Sequence, residues 1–278
     1  YDVIVIGAGN AGLTAALAAR EQQMRVLLLD KCPKTSRGGN TRFSGGGFRF
    51  TYNNLDDMRP MLPELTDEEA ARMEVGTYSN AEFFEDVMQV TEYAADQKLT
   101  NILVDRSYDT ARWLTDMNVK WILSTSTHAV KMGGKIKFPS GRVISVNDGG
   151  LGLVEMLFPT AEKNGIEIIY EAKATALIAD PKGRVSGVRV QTADGLMDFQ
   201  SRAVVLAAGG FEANPEMRAR YLGTGWDLVK VRGSRYNTGE VLSLALSFGA
   251  QPVGHWSGCH AVLVDAEAPD VECAYEHR

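Results

Sequence analysis

The feature that most limits what this chain can become is its opening run, DVIVIGAGNAGLTAALAARE, followed shortly by RVLLLD. Residues 2–6 are a short apolar, β-branched stretch of the kind that forms a strand buried on both faces of a parallel sheet. They lead straight into Gly7-Ala8-Gly9-Asn10-Ala11-Gly12, then a string of helix formers, then a second apolar strand at residues 25–29 that ends on Asp30. Strand, glycine turn, helix, strand and acid in this register predict a dinucleotide-binding unit. Gly7 permits the tight turn, Gly9 lets a pyrophosphate approach the backbone, and Gly12 lets helix pack on strand. The free N–H groups of the helix N-terminus, with their partial positive charge, face the phosphates. Asp30 is placed to accept hydrogen bonds from an adenosine ribose.

A nicotinamide enzyme would normally continue from its second strand into another strand–helix repeat. Here Lys31-Cys32-Pro33 is followed instead by GGNTRFSGGGF at residues 38–48. Each glycine costs a helix about 1 kcal/mol relative to alanine, so five of them in eleven positions profit neither helix nor strand. The expected use is close approach. Backbone N–H groups of Gly38, Gly39, Gly45, Gly46 and Gly47 run along a pyrophosphate and a ribityl chain, with Asn40, Thr41 and Ser44 as short side-chain donors. Phe43 and Phe48 argue against a free surface loop.

With these residues in view, the chain resembles the flavoprotein family of fumarate reductases, succinate dehydrogenases and related FAD-dependent desaturases, which follow the same unit with a GGN/S…GGG segment. The resemblance implies FAD rather than free NAD, held by the glycine turn with Asn10 and Ala11, by Asp30 and Lys31, and by the glycine-rich segment. Further along, Ala207-Ala208-Gly209-Gly210 is similar to the family's ATGG turn near the cofactor, with Ala208 in place of Thr. Ala174 falls at the strand position that meets adenine. Asn237-Thr238-Gly239 matches the start of a TGDG segment, and Glu240 keeps a carboxylate where the family's aspartate meets the cofactor. In GHWSGCHAV, His260 falls on the dicarboxylate-binding histidine, although Ala261-Val262 replace the usual Pro-Thr. Asn40 stands where succinate dehydrogenases carry the histidine that bonds to the flavin, which implies non-covalent FAD. KVRGSRYNTGE together with WSGCHAV is similar to the tricarballylate-oxidising members of the family.

The implied architecture is α/β: a Rossmann-like FAD-binding domain over residues 1–250 with an antiparallel meander, a helical insertion at about 53–130, and the beginning of a capping domain at 251–278. Residues support the parts directly. Thr66 and Glu69 form a capping pattern before one helix, and residues 79–97 and 107–117 read as amphipathic helices. GIEIIYEAKATALIAD reads as one strand after a helix. Lys182-Gly183 and Asp194-Gly195 are turn signals between period-two strands. Members of the resembled family continue well beyond the point where this sequence stops, with further active-site arginines there, so the chain reads as a fragment.

The expected reaction is hydride transfer at a carbon next to a carboxylate, oxidising tricarballylate to cis-aconitate. The alternatives are a fumarate reductase-like enzyme, a ketosteroid-type desaturase, or a non-catalytic flavin-binding module. His260 is the main substrate-binding candidate, with Arg232 and Arg235 weaker; His128 reads as structural or surface, and His255 reads equally as a surface residue or a ligand. A net charge of −6 argues against nucleic-acid binding. No apolar run is long enough to span a membrane. Cys32, Cys259 and Cys273 form no CxxC or CxxCH, which excludes the common zinc pattern and covalent haem here and suggests a reducing, cytoplasmic setting. Electrons then leave through a separate acceptor, for which the resemblance implies an iron–sulfur protein.

Overall fold

The computed structural model describes residues 1–125 and 129–273; His128 and the last five residues lie outside them. In chain order come β1 (Val3–Ile6), α1 (Asn10–Glu21) and β2 (Val26–Leu29). Next are α2 (Asp67–Ala71), β3 (Met73–Glu74), α3 (Asn80–Val90), α4 (Gln97–Asp116), β4 (Trp121–Leu123), β5 (Val130–Met132), β6 (Lys135–Lys137) and β7 (Ile144–Val146). Then follow α5 (Gly149–Lys163), β8 (Glu167–Ile169), β9 (Lys173–Ala179), β10 (Val185–Thr192), β11 (Gly195–Gln200), β12 (Ala203–Leu206), α6 (Pro215–Leu222) and α7 (Glu240–Ser247). They form two compact units, Tyr1–Ser44 with Val154–Arg278, and Gly45–Leu153.

The first unit is built on a parallel sheet in the order β12-β1-β2-β8. Its centre is apolar on both faces, as the opening run predicts: Ile4, Val5 and all of β2 are buried. Side chains two apart share a face, so Ile4 and Ile6 with Leu27 and Leu29 form one apolar layer. Against it packs the antiparallel meander β11-β10-β9 through Ala174, Val188 and Val190. Burial of this layer is the main favourable term holding meander to sheet.

The run through residues 166–179 is two strands, not the one its composition suggests. Glu171 turns the chain with φ 53. Its N–H donates to the Cys32 carbonyl and that of Ala172 to the Asp30 carbonyl. β8 thus finishes the parallel sheet and β9 opens the meander, with Asp30 in the corner between them. A turn stabilised by backbone groups from another strand leaves no mark in local composition.

In the second unit, Thr66 and Glu69 make the expected capping box, and Ser79 with Glu82 makes another. The helix expected over 79–97 stops at Val90, because Glu92 and Tyr93 adopt φ of 51 and 60. α4 then starts afresh, with the Asp96 carboxylate accepting from the N–H groups of Lys98 and Leu99. The short strands β3 to β7 were invisible to periodicity, since two or three residues hold too few alternations. Gly46, at φ 68, sits so close to Gly149 that a Cβ would lie 2.6 Å from the Gly149 Cα. Its carbonyl accepts from Val146, and Gly47 bridges Ser145. Gly46 therefore has a local packing reason within its own unit, whereas a Cβ on Gly47 would meet no atom within 4 Å.

Candidate functional site

A cleft of about 430 Å³ opens where β1, β2 and β12 end, lined by the glycine turn, Asp30, Lys31, Gly39, Asn40 and Thr41, and by residues of β9, the β12 end and α7. This is the carboxyl edge of a parallel sheet, where open α/β folds place their ligands. Gly7, Gly9, Asn10, Ala11, Asp30, Lys31, Gly39, Asn40, Thr41, Ala174, Ala208, Gly209 and Glu240 all line it. Of the remaining expected positions, Gly12 and Gly38 pack behind the wall. A Cβ on Gly12 would fall 1.8 Å from the Gly7 carbonyl oxygen, and one on Gly38, at φ 106, would press on Val154. The Ser44 hydroxyl donates to the Thr41 carbonyl. Gly210 lines a neighbouring cavity, and Gly45, Gly46 and Gly47 belong to the second unit.

The cleft fits a dinucleotide on three counts. Gly7, at φ 102, is forced by the Ala207 carbonyl 2.5 Å from where its Cβ would lie, but Gly9 is not forced by the protein at all. Its φ is −75, and a Cβ there would lie no nearer than 3.5 Å to Thr41 Oγ1, an ordinary contact. Bare backbone at Gly9 is explained by something that occupies the cleft. Second, the Asn10 side-chain oxygen is buried without a hydrogen-bond partner among the described residues. Buried acceptors left unpaired are costly, and a ligand hydroxyl would satisfy this one. Third, Asp30 is buried, and that burial raises its pKa against hydrogen bonds from the N–H groups of Cys32 and Ala8. Those bonds hold the carboxylate in the lining of the cleft, where it can accept from a ribose.

Two bonds the sequence could not show hold the glycine-rich segment in place. Gly9 offers no side-chain cap to α1, and the Thr41 hydroxyl accepts from Asn10 N–H instead, at 2.9 Å. The Asn40 side-chain oxygen accepts from Ser234 N–H at 2.8 Å.

Glu240 begins α7 and faces two lysines, Lys31 at 2.8 Å and Lys173 at 3.3 Å. Burial works against its charge, but hydrogen bonds from Lys31 and Thr238 and the nearby ammonium prevail, lowering its pKa to about 2. Lys173 had no signal in the sequence; the meander brings it here.

The second cavity, about 670 Å³, shares Asn40, Gly209 and Leu242 with the cleft. His260, His255 and Arg232 line it. His260 is exposed in its wall rather than buried in a core, and His255 Nε2 lies 2.9 Å from the Ser257 hydroxyl. Arg235 does not reach the cavity and pairs with Glu272 at 2.8 Å. Arg218, which sequence reasoning passed over, is buried and donates to the backbone carbonyls of Glu212, Trp226, Asp227 and Val229. Its guanidinium braces the cavity wall and is not free for a substrate. The rings of Phe211, Tyr221 and Trp256 pack together beside it. Among the described residues no helix is long and apolar enough to cross a membrane, and no cluster of side chains could hold a metal.

The FAD binding domain family matches residues 2–260. The chain is 33% identical to the urocanate reductase of Eggerthella lenta, over 79% of this chain and 33% of that protein. It is 29% identical to the cytochrome-type fumarate reductase of Shewanella frigidimarina, over 79% of this chain and 35% of that one. The open conformation of a flavocytochrome c3 fumarate reductase superposes with a TM-score of 0.71 at 27% identity, covering 90% of this chain and 40% of that one. The chain thus spans about a third of the length of these two relatives.

Proposed function

This chain belongs to the FAD binding domain family, among the fumarate reductase and succinate dehydrogenase flavoproteins, and from that premise we propose that it is the flavin-holding part of an oxidoreductase acting on a carbon–carbon bond beside a carboxylate. The observation that supports this best is that the two cavities are neighbours, with Asn40, Gly209 and Leu242 in the walls of both. A cofactor lying in the first presents one end to a space walled by His260 and Arg232. FAD, when bound, supplies hydride chemistry; the protein supplies binding, orientation and charge. In this reading Gly9 and the α1 N-terminus hold the pyrophosphate, Asp30 the ribose, Ala174 the adenine, and Asn10 and the glycine-rich segment the ribityl chain. His260 donates to a substrate carboxylate, and Arg232 adds charge that favours electron density at the adjacent carbon. Residues 251–278 begin a capping domain. The substrate is a small polycarboxylate, tricarballylate on the strength of KVRGSRYNTGE and WSGCHAV, whose electrons pass on to an iron–sulfur partner, and the setting is the cytoplasm.

The test uses the full-length protein without oxygen. Tricarballylate should bleach the yellow colour of the oxidised flavin. If fumarate or urocanate reoxidises the reduced flavin and tricarballylate does nothing, the substrate assignment fails and a reductase is indicated.

Asparagine has no ring nitrogen that could bond to a flavin, and Asn40 spends its oxygen on Ser234. Acid precipitation of the purified protein should therefore leave all the yellow colour in the supernatant. Colour retained in the washed pellet would contradict a non-covalent cofactor.

A further inference from the structure

The family's aspartate at the position of Glu240 is expected to meet the cofactor, but here both oxygens of Glu240 are occupied by lysines. Oε2 takes the Lys31 ammonium at 2.8 Å and Oε1 the Lys173 ammonium at 3.3 Å. The Thr238 hydroxyl bonds to Oε2 as well and also accepts from Lys31. The three charges come from three elements: Lys31 just after β2, Lys173 at the start of β9 and Glu240 at the start of α7. Beyond them lies a recess of about 440 Å³, walled by Asn214, Arg220 and Tyr221 among others. Lys173, Ala174 and Glu240 line both that recess and the cleft. The charged cluster is therefore the partition between the two, at the end of the cleft where Asp30 and Ala174 sit.

We propose that Lys31, Glu240 and Lys173 form an ionic clasp across the adenosine end of the cleft, which holds FAD in by closing α7 onto β2 and β9 and sets the rate at which FAD leaves. This rests on the reading of the cleft as an FAD site. The physical requirement for a clasp is that its bonds be strong enough to close and weak enough to open. The side chains of Lys31, Glu240 and Lys173 are 22%, 34% and 51% exposed, so water and salt reach them and partly screen the attraction. A wholly buried cluster would not open; a wholly exposed one would hold nothing. The single anion shared by two cations makes Glu240 the residue on which the clasp turns.

The test follows FAD release from the purified holoprotein by the recovery of free-flavin fluorescence after dilution, at low and high sodium chloride. Wild type should release FAD faster at high salt. Glu240→Gln keeps the size of the side chain and removes its charge. It should release FAD roughly tenfold faster at low salt, a difference of one decade, and its rate should no longer respond to salt. Lys31→Met, which leaves only the Lys173 pair, should also release FAD faster and should keep a reduced salt response, which guards against a folding defect peculiar to the glutamate variant. Melting curves of the variants without FAD should show a single cooperative transition, lowered modestly by the loss of ion pairs that already exist in the ligand-free fold. A Glu240→Gln protein that releases FAD at the wild-type rate overturns the clasp. So does one that loses affinity while keeping the full salt response, since that is the behaviour of a direct ligand. A wild-type protein that binds no flavin would instead overturn the cofactor reading itself.

Discussion

Replacing Gly9 by valine should yield a protein that folds, purifies and is colourless. The position makes no demand for glycine on backbone grounds, at φ −75, and a Cβ would meet only Thr41 Oγ1 at 3.5 Å and the Gly38 carbonyl at 3.7 Å. Valine's methyl groups would extend from there into the cleft, where a pyrophosphate needs the bare backbone. Loss of the close approach should lower FAD affinity by about a hundredfold or more, which is ~2.7 kcal/mol. Gly12→Ala provides the contrast. Its new Cβ would fall 1.8 Å from the Gly7 carbonyl oxygen, a backbone atom that cannot step aside, so the fold itself should be strongly destabilised. The two outcomes separate in one experiment that records flavin absorbance per protein together with far-UV dichroism and melting. A folded Gly9→Val protein with one FAD per chain would mean that the cleft holds its ligand elsewhere.

His260→Ala carries the other large effect, on turnover. The side chain is exposed in the wall of the second cavity, so removing it should leave the fold and the flavin content as they are. A hydrogen bond to a charged group contributes ~1.5–3 kcal/mol, and ~1.4 kcal/mol is a factor of ten. In the full-length enzyme kcat/KM for the polycarboxylate should therefore fall by roughly ten- to a hundredfold. Loss of FAD, or a melting temperature well below that of wild type with normal turnover per remaining flavin, would make His260 a structural residue.

How much of this was written in the chain depends on the distance over which each part is specified. The strand, glycine turn and helix of residues 2–21 follow one another without a break and carry a known spacing, so they could be read directly, although only Gly12 has its steric cause within the segment, against the Gly7 carbonyl. Ala174, Ala208 and Gly209 came from likeness to a family; the parallel order β12-β1-β2-β8 places Ala208 and Gly209 just past the end of β12, and the meander packed on that sheet brings Ala174 on β9 into the same cleft. Lys173 and Ser234 had no local mark whatever. They matter only because the meander and the segment before α7 lie against β2 and the glycine-rich stretch. Arg218 was overlooked for a related reason. An arginine in a polar helix reads as solvated, and only the fold shows that four carbonyls converge on it. In GGNTRFSGGGF the composition announced close approach correctly but not its object. Gly38 meets Val154 and Gly46 meets Gly149, while Gly39 lines the cleft.

The hydroxyl of Thr41, accepting from the first N–H of α1, has a consequence for how a ligand is received. The two backbone pieces that would face a pyrophosphate are stitched together before any cofactor arrives, and Asn40 fastens the same segment to Ser234. The freedom those loops would otherwise lose on binding is lost earlier, when the chain folds. Binding to such a cradle is a docking of a flexible molecule onto a stiff one. More of the contact energy then appears as affinity, because less is spent on ordering the host.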